Sequence, residues 1–95
     1  MIVGVNRAYK VVDQQLNKHQ LFWRCRRGVR ELDVLLDRFL ETEYAKLSRD
    51  ERLAFEQFLE VQDPIIMDWL FGKYSPQDSG VLNIVKKLQA LSGIN

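Results

Sequence analysis

The sequence predicts an all-α fold, a compact bundle of about five short helices. Apolar residues recur at intervals of three and four from Gln15 onward, which is the periodicity of amphipathic helices. No segment alternates apolar and polar residues as a half-buried strand would, and helix start and stop signals divide the pattern into short pieces. A chain of 95 residues is expected to form one core. We therefore predict a helical domain at 15–92 and a mobile N-terminal tail at 1–14.

The first predicted helix has an apolar stripe at four-residue steps, formed by Leu21, Cys25 and Val29. If this helix continued, one other face would carry Trp23, Arg26, Arg27 and Arg30. Gly28 interrupts the pattern, and inside a helix a glycine costs about 1 kcal/mol relative to alanine. We therefore expect a bend or joint near residue 28.

The later helices follow from their end signals. The second is predicted from about 30 to 46, on the spacing of its leucines and Phe39. The sequence S-R-D-E from Ser48 is a capping box and begins the third helix. Asp63 as N-cap, followed by a proline, begins the fourth, and Gly72 ends it. The loop KYSPQDSG then precedes the last predicted helix.

The net charge of +1 conceals an uneven distribution. Residues 1–30 carry +6, residues 31–72 carry −7 and residues 73–95 carry +2, which suits a partner of mixed charge better than nucleic acid. Cys25 is the only cysteine, so the chain has no internal disulfide, as is typical of reducing compartments. No apolar run approaches membrane-spanning length. We predict a cytoplasmic protein without membrane insertion.

The residue types give little support for an enzyme. His19 and Cys25 are the only histidine and cysteine, and on a helix a separation of six residues turns them about 120° apart. Cys25 also belongs to the apolar stripe, where a buried structural thiol is expected. Neither a glycine-rich phosphate loop nor a set of zinc ligands is present in the sequence. We expect no catalytic residue, no metal and no stably bound cofactor.

The stretch WRCRRGVRELD, from Trp23 to Asp33, is the strongest candidate for a binding site. An aromatic residue among arginines is compatible with nucleic acid, although the acidic residues that follow oppose it. The arginines could instead be neutralised within the protein, for example by a pair between Arg27 and Glu31. Tryptophan and arginine also commonly anchor protein interfaces, and a glycine beside them allows close approach of a partner. Partner-protein binding fits best.

Three motifs carry a resemblance to a known family. They are W-x-C-R-R-G-x-x-E-L-D, then R-F-L-E-x-E-Y-x-x-L-S, then F-x-x-x-L-E-x-x-D-P-x-x-x-D-W-L. Together they resemble the FAD assembly factor family of succinate dehydrogenase, over roughly residues 16–91. That family has a small all-helical fold and the signature R-G-x-x-E, which is here Arg27 to Glu31.

The resemblance implies an assembly chaperone and not an enzyme. It would bind the flavoprotein subunit of succinate dehydrogenase and promote covalent attachment of FAD, by holding the FAD and capping domains of that subunit in a reactive arrangement. The flavoprotein of fumarate reductase is an expected second client, and the chain is expected to act as a monomer. The alternatives are the antitoxin component of a toxin–antitoxin pair and a basic helical module that binds nucleic acid.

The residues of the family motif define the predicted site. Arg27, Gly28 and Glu31 match the R-G-x-x-E signature. We hypothesise that Gly28 lets the helix joint lie flush against the flavoprotein, while Arg27 and Glu31 form charged hydrogen bonds with it. The complete set of predicted partner-binding residues is Trp23, Arg26, Arg27, Gly28, Arg30, Glu31 and Asp33.

Overall fold

Helices account for all regular secondary structure in the residues that the computed structural model describes, 17–93. In chain order they are α1 (Lys18–Arg24), α2 (Arg30–Thr42), a 3₁₀ turn (Tyr44–Lys46), α3 (Arg49–Leu59), α4 (Asp63–Leu70) and α5 (Ser79–Ser92). The predicted all-α bundle of about five helices is confirmed. The tail predicted at 1–14 lies outside the described residues.

The core is centred on α5, which packs against α2, α3 and α4. Phe39 of α2 and Phe55 of α3 lie in van der Waals contact beneath it, with ring centroids 4.9 Å apart, and both are fully buried. Leu21 of α1 and Cys25, the C-cap residue of α1, are also inaccessible to solvent, so Cys25 is a core residue as predicted. Val29, the third residue of the predicted apolar stripe, lies outside α1 as the N-cap of α2 and is only half-buried.

Local capping explains where two of the helices begin. Ser48 is the N-cap of α3: its hydroxyl accepts from the backbone N–H of Glu51, and the Glu51 carboxylate accepts from the Ser48 N–H. This is the predicted capping box. A second capping box joins Asn17 and Gln20 at the start of α1, and the sequence analysis overlooked it.

The prediction of one helix from 30 to 46 is wrong at its C-terminal end. The α-helix ends at Thr42, and the chain tightens into the 3₁₀ turn before Leu47 adopts an extended conformation. Leu47 immediately precedes the N-cap of α3, so the backbone must leave the helix before that point. The tighter turn still lets the Leu47 side chain reach the core, where it is buried.

The fourth helix begins one residue earlier than predicted. Gln62 occupies the N-cap position, Asp63 is the first helical residue and Pro64 follows it. Asp63 does not cap the helix, because its carboxylate pairs with the guanidinium of Arg27 at 2.8 Å. A proline in the first turn loses no intrahelical hydrogen bond, which explains why Pro64 is accommodated at this position.

Candidate partner-binding surface

Residues 25–29 form the joint between α1 and α2, as the glycine at position 28 predicted. The joint is a turn around Gly28, whose φ is +88°. L-residues other than glycine rarely adopt this conformation, because their Cβ approaches the following carbonyl oxygen. The face that Trp23, Arg26, Arg27 and Arg30 would share on a continuous helix is therefore broken up, and their side chains take separate directions.

Gly28 has an open surface above it. A Cβ atom added at this position would have no atom within 4 Å apart from those of Gly28 and its two chain neighbours. The backbone of Gly28 is thus presented to solvent without any side chain over it. The structure requires glycine here for its backbone conformation alone, since there is space for a side chain in the isolated protein.

The Arg27 side chain points inward and holds three segments together. Its Nε donates to Asp63 Oδ1 at 2.8 Å, Nη1 donates to the carbonyl of Leu59 at 2.7 Å, and Nη2 donates to the carbonyl of Val61 at 2.6 Å. Nη1 also donates to the carbonyl of Arg24 at 3.0 Å, so four of the five guanidinium N–H groups are used within the chain.

This arrangement explains why an arginine occupies position 27. The carbonyl groups of Leu59 and Val61 lie at the C-terminal end of α3, where no helical N–H is available to them and where the helix dipole favours a cation. The planar guanidinium satisfies them and Asp63 together, which a lysine ammonium could not do as well. Arg27 therefore has a structural function, and its geometry does not support the hypothesis that it forms a charged hydrogen bond with a partner.

Asp33 holds the joint from the other side. Its Oδ1 accepts from the backbone N–H of Arg27 at 2.6 Å, and its Oδ2 accepts from the N–H of Gly28 at 3.3 Å. The N-cap residue of α2, Val29, provides no side-chain hydrogen bond, so the carboxylate in the first turns of the helix supplies the acceptor for the joint. Asp33 thus stabilises the turn conformation of the joint, in which the backbone of Gly28 is exposed.

Trp23 and Arg26 lie on the exposed side of the joint. Trp23 is 60% exposed and packs edge-to-face on Phe22, with ring centroids 5.4 Å apart. The Arg26 guanidinium lies 4.5 Å from the centroid of the Phe22 ring and pairs with Asp37 at 3.0 Å. These contacts order an amphipathic surface of aromatic rings and a cation that remains open to solvent.

Arg30 and Glu31 begin α2, and both are exposed. Neither side chain forms an ion pair within residues 17–93, and the predicted pair between Arg27 and Glu31 is absent from this part of the chain because Arg27 is committed to Asp63. Glu31 lies in the first helical turn, where the helix dipole favours a negative charge. Two successive exposed residues, one cation and one anion, thus have no ion-pair partner in the described part of the chain.

The seven predicted residues therefore divide into two groups. Arg27 and Asp33 are partly buried and support the joint from within. The other five are exposed, and we call them the motif surface: Trp23, Arg26, Gly28, Arg30 and Glu31.

The sequence analysis missed the partners that organise these residues. Asp37, Glu60 and Asp63 neutralise Arg26, Arg24 and Arg27 respectively. Two of the three partners are 36 positions away in the sequence, so local spacing could not reveal them. The position of Asp63 beside a proline at a helix start was visible, but it was interpreted as capping.

Cys25 does not contribute a reactive thiol. Burial raises the pKa of its thiol to about 12, and the nearby Asp37 carboxylate adds to the rise. A thiol with so high a pKa is almost entirely protonated at neutral pH and is a poor nucleophile. Within residues 17–93 no group of histidine, cysteine and carboxylate side chains could hold a metal ion. The helices of this same region are too short or too polar to cross a membrane.

Comparison with known proteins shows the family to which this chain belongs. The family model described as "Flavinator of succinate dehydrogenase" matches residues 19–92. A relative from Coxiella burnetii named FAD assembly factor SdhE is 40% identical over 81 residues, which cover 85% of this chain and 99% of the relative. A protein of the same name from Yersinia pseudotuberculosis is 45% identical over 74 residues, covering 78% of this chain and 84% of the relative. The chain therefore belongs to the family of succinate dehydrogenase flavinators, which are assembly factors, and the expectation that it is not an enzyme is confirmed.

Proposed function

We propose that this chain binds the flavoprotein subunit of succinate dehydrogenase through the motif surface and promotes covalent attachment of FAD to that subunit. The observation that carries the proposal is the exposed backbone of Gly28, which in the sequence follows the exposed Trp23 and Arg26 and precedes Arg30 and Glu31, two exposed residues that form no ion pair within residues 17–93. A partner can approach this backbone closely, while the aromatic and charged side chains around it supply anchoring contacts.

The physical contribution of the chain would be positioning. The thiol of Cys25 is buried and its pKa is raised to about 12, so it is a poor nucleophile at neutral pH. A protein that binds the flavoprotein in the arrangement needed for the reaction can raise the rate without forming a bond itself. We propose that FAD stays with the client and that this chain binds no cofactor stably.

The internal neutralisation of the arginines supports a protein partner over nucleic acid. Arg24, Arg26 and Arg27 each pair with a carboxylate of the same chain, whereas Arg30 forms no ion pair within residues 17–93. A nucleic-acid site gains its affinity from several cations that neutralise phosphates. The adjacent Glu31 would further oppose a phosphate backbone.

A series of substitutions at Gly28 tests the proposal. Alanine, asparagine or arginine at position 28 would have to adopt its positive φ. This costs about 1–2 kcal/mol for alanine and arginine, and less for asparagine. Since the space above Gly28 is open, the free energy of unfolding should fall by a similar amount for alanine and arginine. Binding to the flavoprotein should instead weaken progressively with side-chain size, and Gly28→Arg should abolish it.

Gly72→Arg is the matched control. Gly72 has a φ of +79°, and an added Cβ there would have no atom within 4 Å beyond its chain neighbours, so an arginine imposes similar backbone strain outside the motif. The measurement is co-elution of purified chain and flavoprotein subunit in size-exclusion chromatography, which also reports whether the free chain is a monomer. Co-elution of the Gly28→Arg variant at the wild-type level would refute the proposed surface. The flavoprotein of fumarate reductase, our proposed second client, is tested in the same way.

A further inference from the structure

An apolar groove lies next to the motif surface, between α2, α4 and the C-terminal end of α5. Its volume is about 380 Å³, and its lining is dominated by apolar side chains. Leu35 and Leu70 are buried at its floor, while Val34 and Phe71 on its sides are 49% and 62% exposed. Exposed apolar side chains that converge on a concavity are typical of interaction sites.

Three side chains of α2 define the length and charge of this groove. Arg30, Val34 and Arg38 follow one another at four-residue steps and therefore form one stripe along the helix. Eight residues of helix place the two arginine backbones about 12 Å apart, with the apolar Val34 midway. Neither arginine forms an ion pair within residues 17–93, so both cations are available at the groove.

We propose that this groove binds a segment of the flavoprotein client that carries a large apolar side chain between two carboxylates. The apolar side chain would pack against Val34 and Phe71, and the carboxylates would pair with Arg30 and Arg38. The inference rests on the proposed function, and it extends the client interface beyond the family motif. Arg30 and Glu31 line the groove and also belong to the motif surface, so one client can occupy both.

The combination of apolar side chains and two arginines in the groove favours this protein segment over an uncharged peptide or a nucleic acid. An uncharged apolar peptide would leave two cations partly desolvated without partners, which opposes binding. A nucleic acid would supply anions but no aliphatic side chain for Val34 and would meet Glu31. A protein segment with carboxylates about 12 Å apart satisfies the cations and the apolar surface together.

Binding of full-length variants to the purified flavoprotein subunit tests the inference. Phe71→Ser and Val34→Asp should each raise the Kd about tenfold, the effect of an interface residue worth about 1.4 kcal/mol. Tyr74→Ser is the matched control for the aromatic substitution, because Tyr74 is 68% exposed and does not line the groove. Its Kd should stay within about twofold of wild type, as expected outside the interface.

The charge of the groove has its own test. Arg38→Glu should weaken binding and reduce its dependence on salt concentration. Lys86→Glu makes the same change in net charge at an exposed position of α5 outside the groove and should alter both quantities much less. Melting curves of all variants should stay close to wild type, since the substituted side chains are at least partly exposed.

The possible results separate this inference from the proposed function. If the wild-type chain does not bind the flavoprotein, both fail. If Gly28→Arg abolishes binding while Phe71→Ser, Val34→Asp and Arg38→Glu bind as wild type does, the motif surface stands and the groove inference is overturned. If these groove variants instead change only self-association in light scattering, the occupant is a second copy of this chain and the inference is also overturned.

Discussion

Removal of the Arg27 side chain should destabilise the fold strongly, although the family motif suggests a residue that contacts the client. The guanidinium donates four hydrogen bonds, and its side chain and that of Asp63 are only 14% and 25% exposed. Hydrogen bonds to charged groups are worth about 1.5–3 kcal/mol each but do not add fully. Loss of one partner of a buried ion pair costs about 3–5 kcal/mol, and because this pair is partly solvated we expect about 3 kcal/mol for Arg27→Ala.

Arg27→Lys should cost about 1–2 kcal/mol, because an ammonium keeps the charge but cannot reach Asp63 and the carbonyls of Leu59 and Val61 at once. Urea denaturation followed by tryptophan fluorescence measures both values. For a domain of this size, 3 kcal/mol corresponds to a decrease in Tm of roughly 12–24 °C. A double-mutant cycle with Asp63→Ala should give a coupling energy above about 1 kcal/mol.

The same measurements distinguish a structural function of Arg27 from a direct contact with the client. If Arg27→Ala unfolds within about 0.5 kcal/mol of wild type yet fails to bind the flavoprotein, Arg27 acts by direct contact and the structural interpretation is wrong. If the interpretation is correct, lowering the temperature should restore part of the client binding of Arg27→Lys. It should not restore binding of a Glu31→Ala variant, whose fold is intact.

Four further predictions concern single side chains. The thiol of Cys25 should react with a disulfide reagent at pH 8 on the order of a thousandfold more slowly in the folded protein than in urea, because its pKa is raised to about 12. Glu51 has a pKa below its usual range because its carboxylate accepts the backbone hydrogen bond of the α3 N-cap. The stabilisation that Glu51 provides is therefore present above the ordinary carboxyl pKa and is lost as the pH falls through the lowered pKa. The difference in Tm between wild type and Glu51→Gln should shrink from pH 7 to pH 3. Asp33→Ala should cost about 1–2 kcal/mol in urea denaturation, and Asp33→Asn less, because two backbone N–H groups of the joint lose their acceptor. In a Trp69→Phe background, the 60% exposed Trp23 should be quenched readily by acrylamide and become protected when the flavoprotein subunit binds.

The fold was accessible from the sequence because its signals are local. The period of the apolar residues, the Ser48 capping box and the glycine at position 28 each act within a few positions, and each was interpreted correctly. The C-terminal end of α2 was predicted wrongly, because the α-helical spacing of apolar residues continues to Leu47 although the backbone changes to a 3₁₀ turn. Which of two compatible helix types a short segment adopts depends on the packing of the following element.

The site was predicted less completely than the fold. The sequence located the motif but could not tell that Arg27 faces inward and Arg30 outward, since this depends on where α3 ends and α4 begins. The groove was missed for the same reason, because Val34 and Phe71 come together only in the folded chain. Long-range contacts of this kind have no local sequence pattern.

The rate of covalent flavin attachment in a mixture of purified components is the most direct test of whether the motif surface promotes flavinylation. The apo flavoprotein subunit of succinate dehydrogenase is incubated with FAD, alone or with the wild-type, Gly28→Arg or Gly72→Arg chain, and in-gel flavin fluorescence is followed over time. We expect faster attachment with the wild-type and Gly72→Arg chains, and the rate of the flavoprotein alone with Gly28→Arg. Equal rates in all four mixtures would show that the motif surface does not promote attachment.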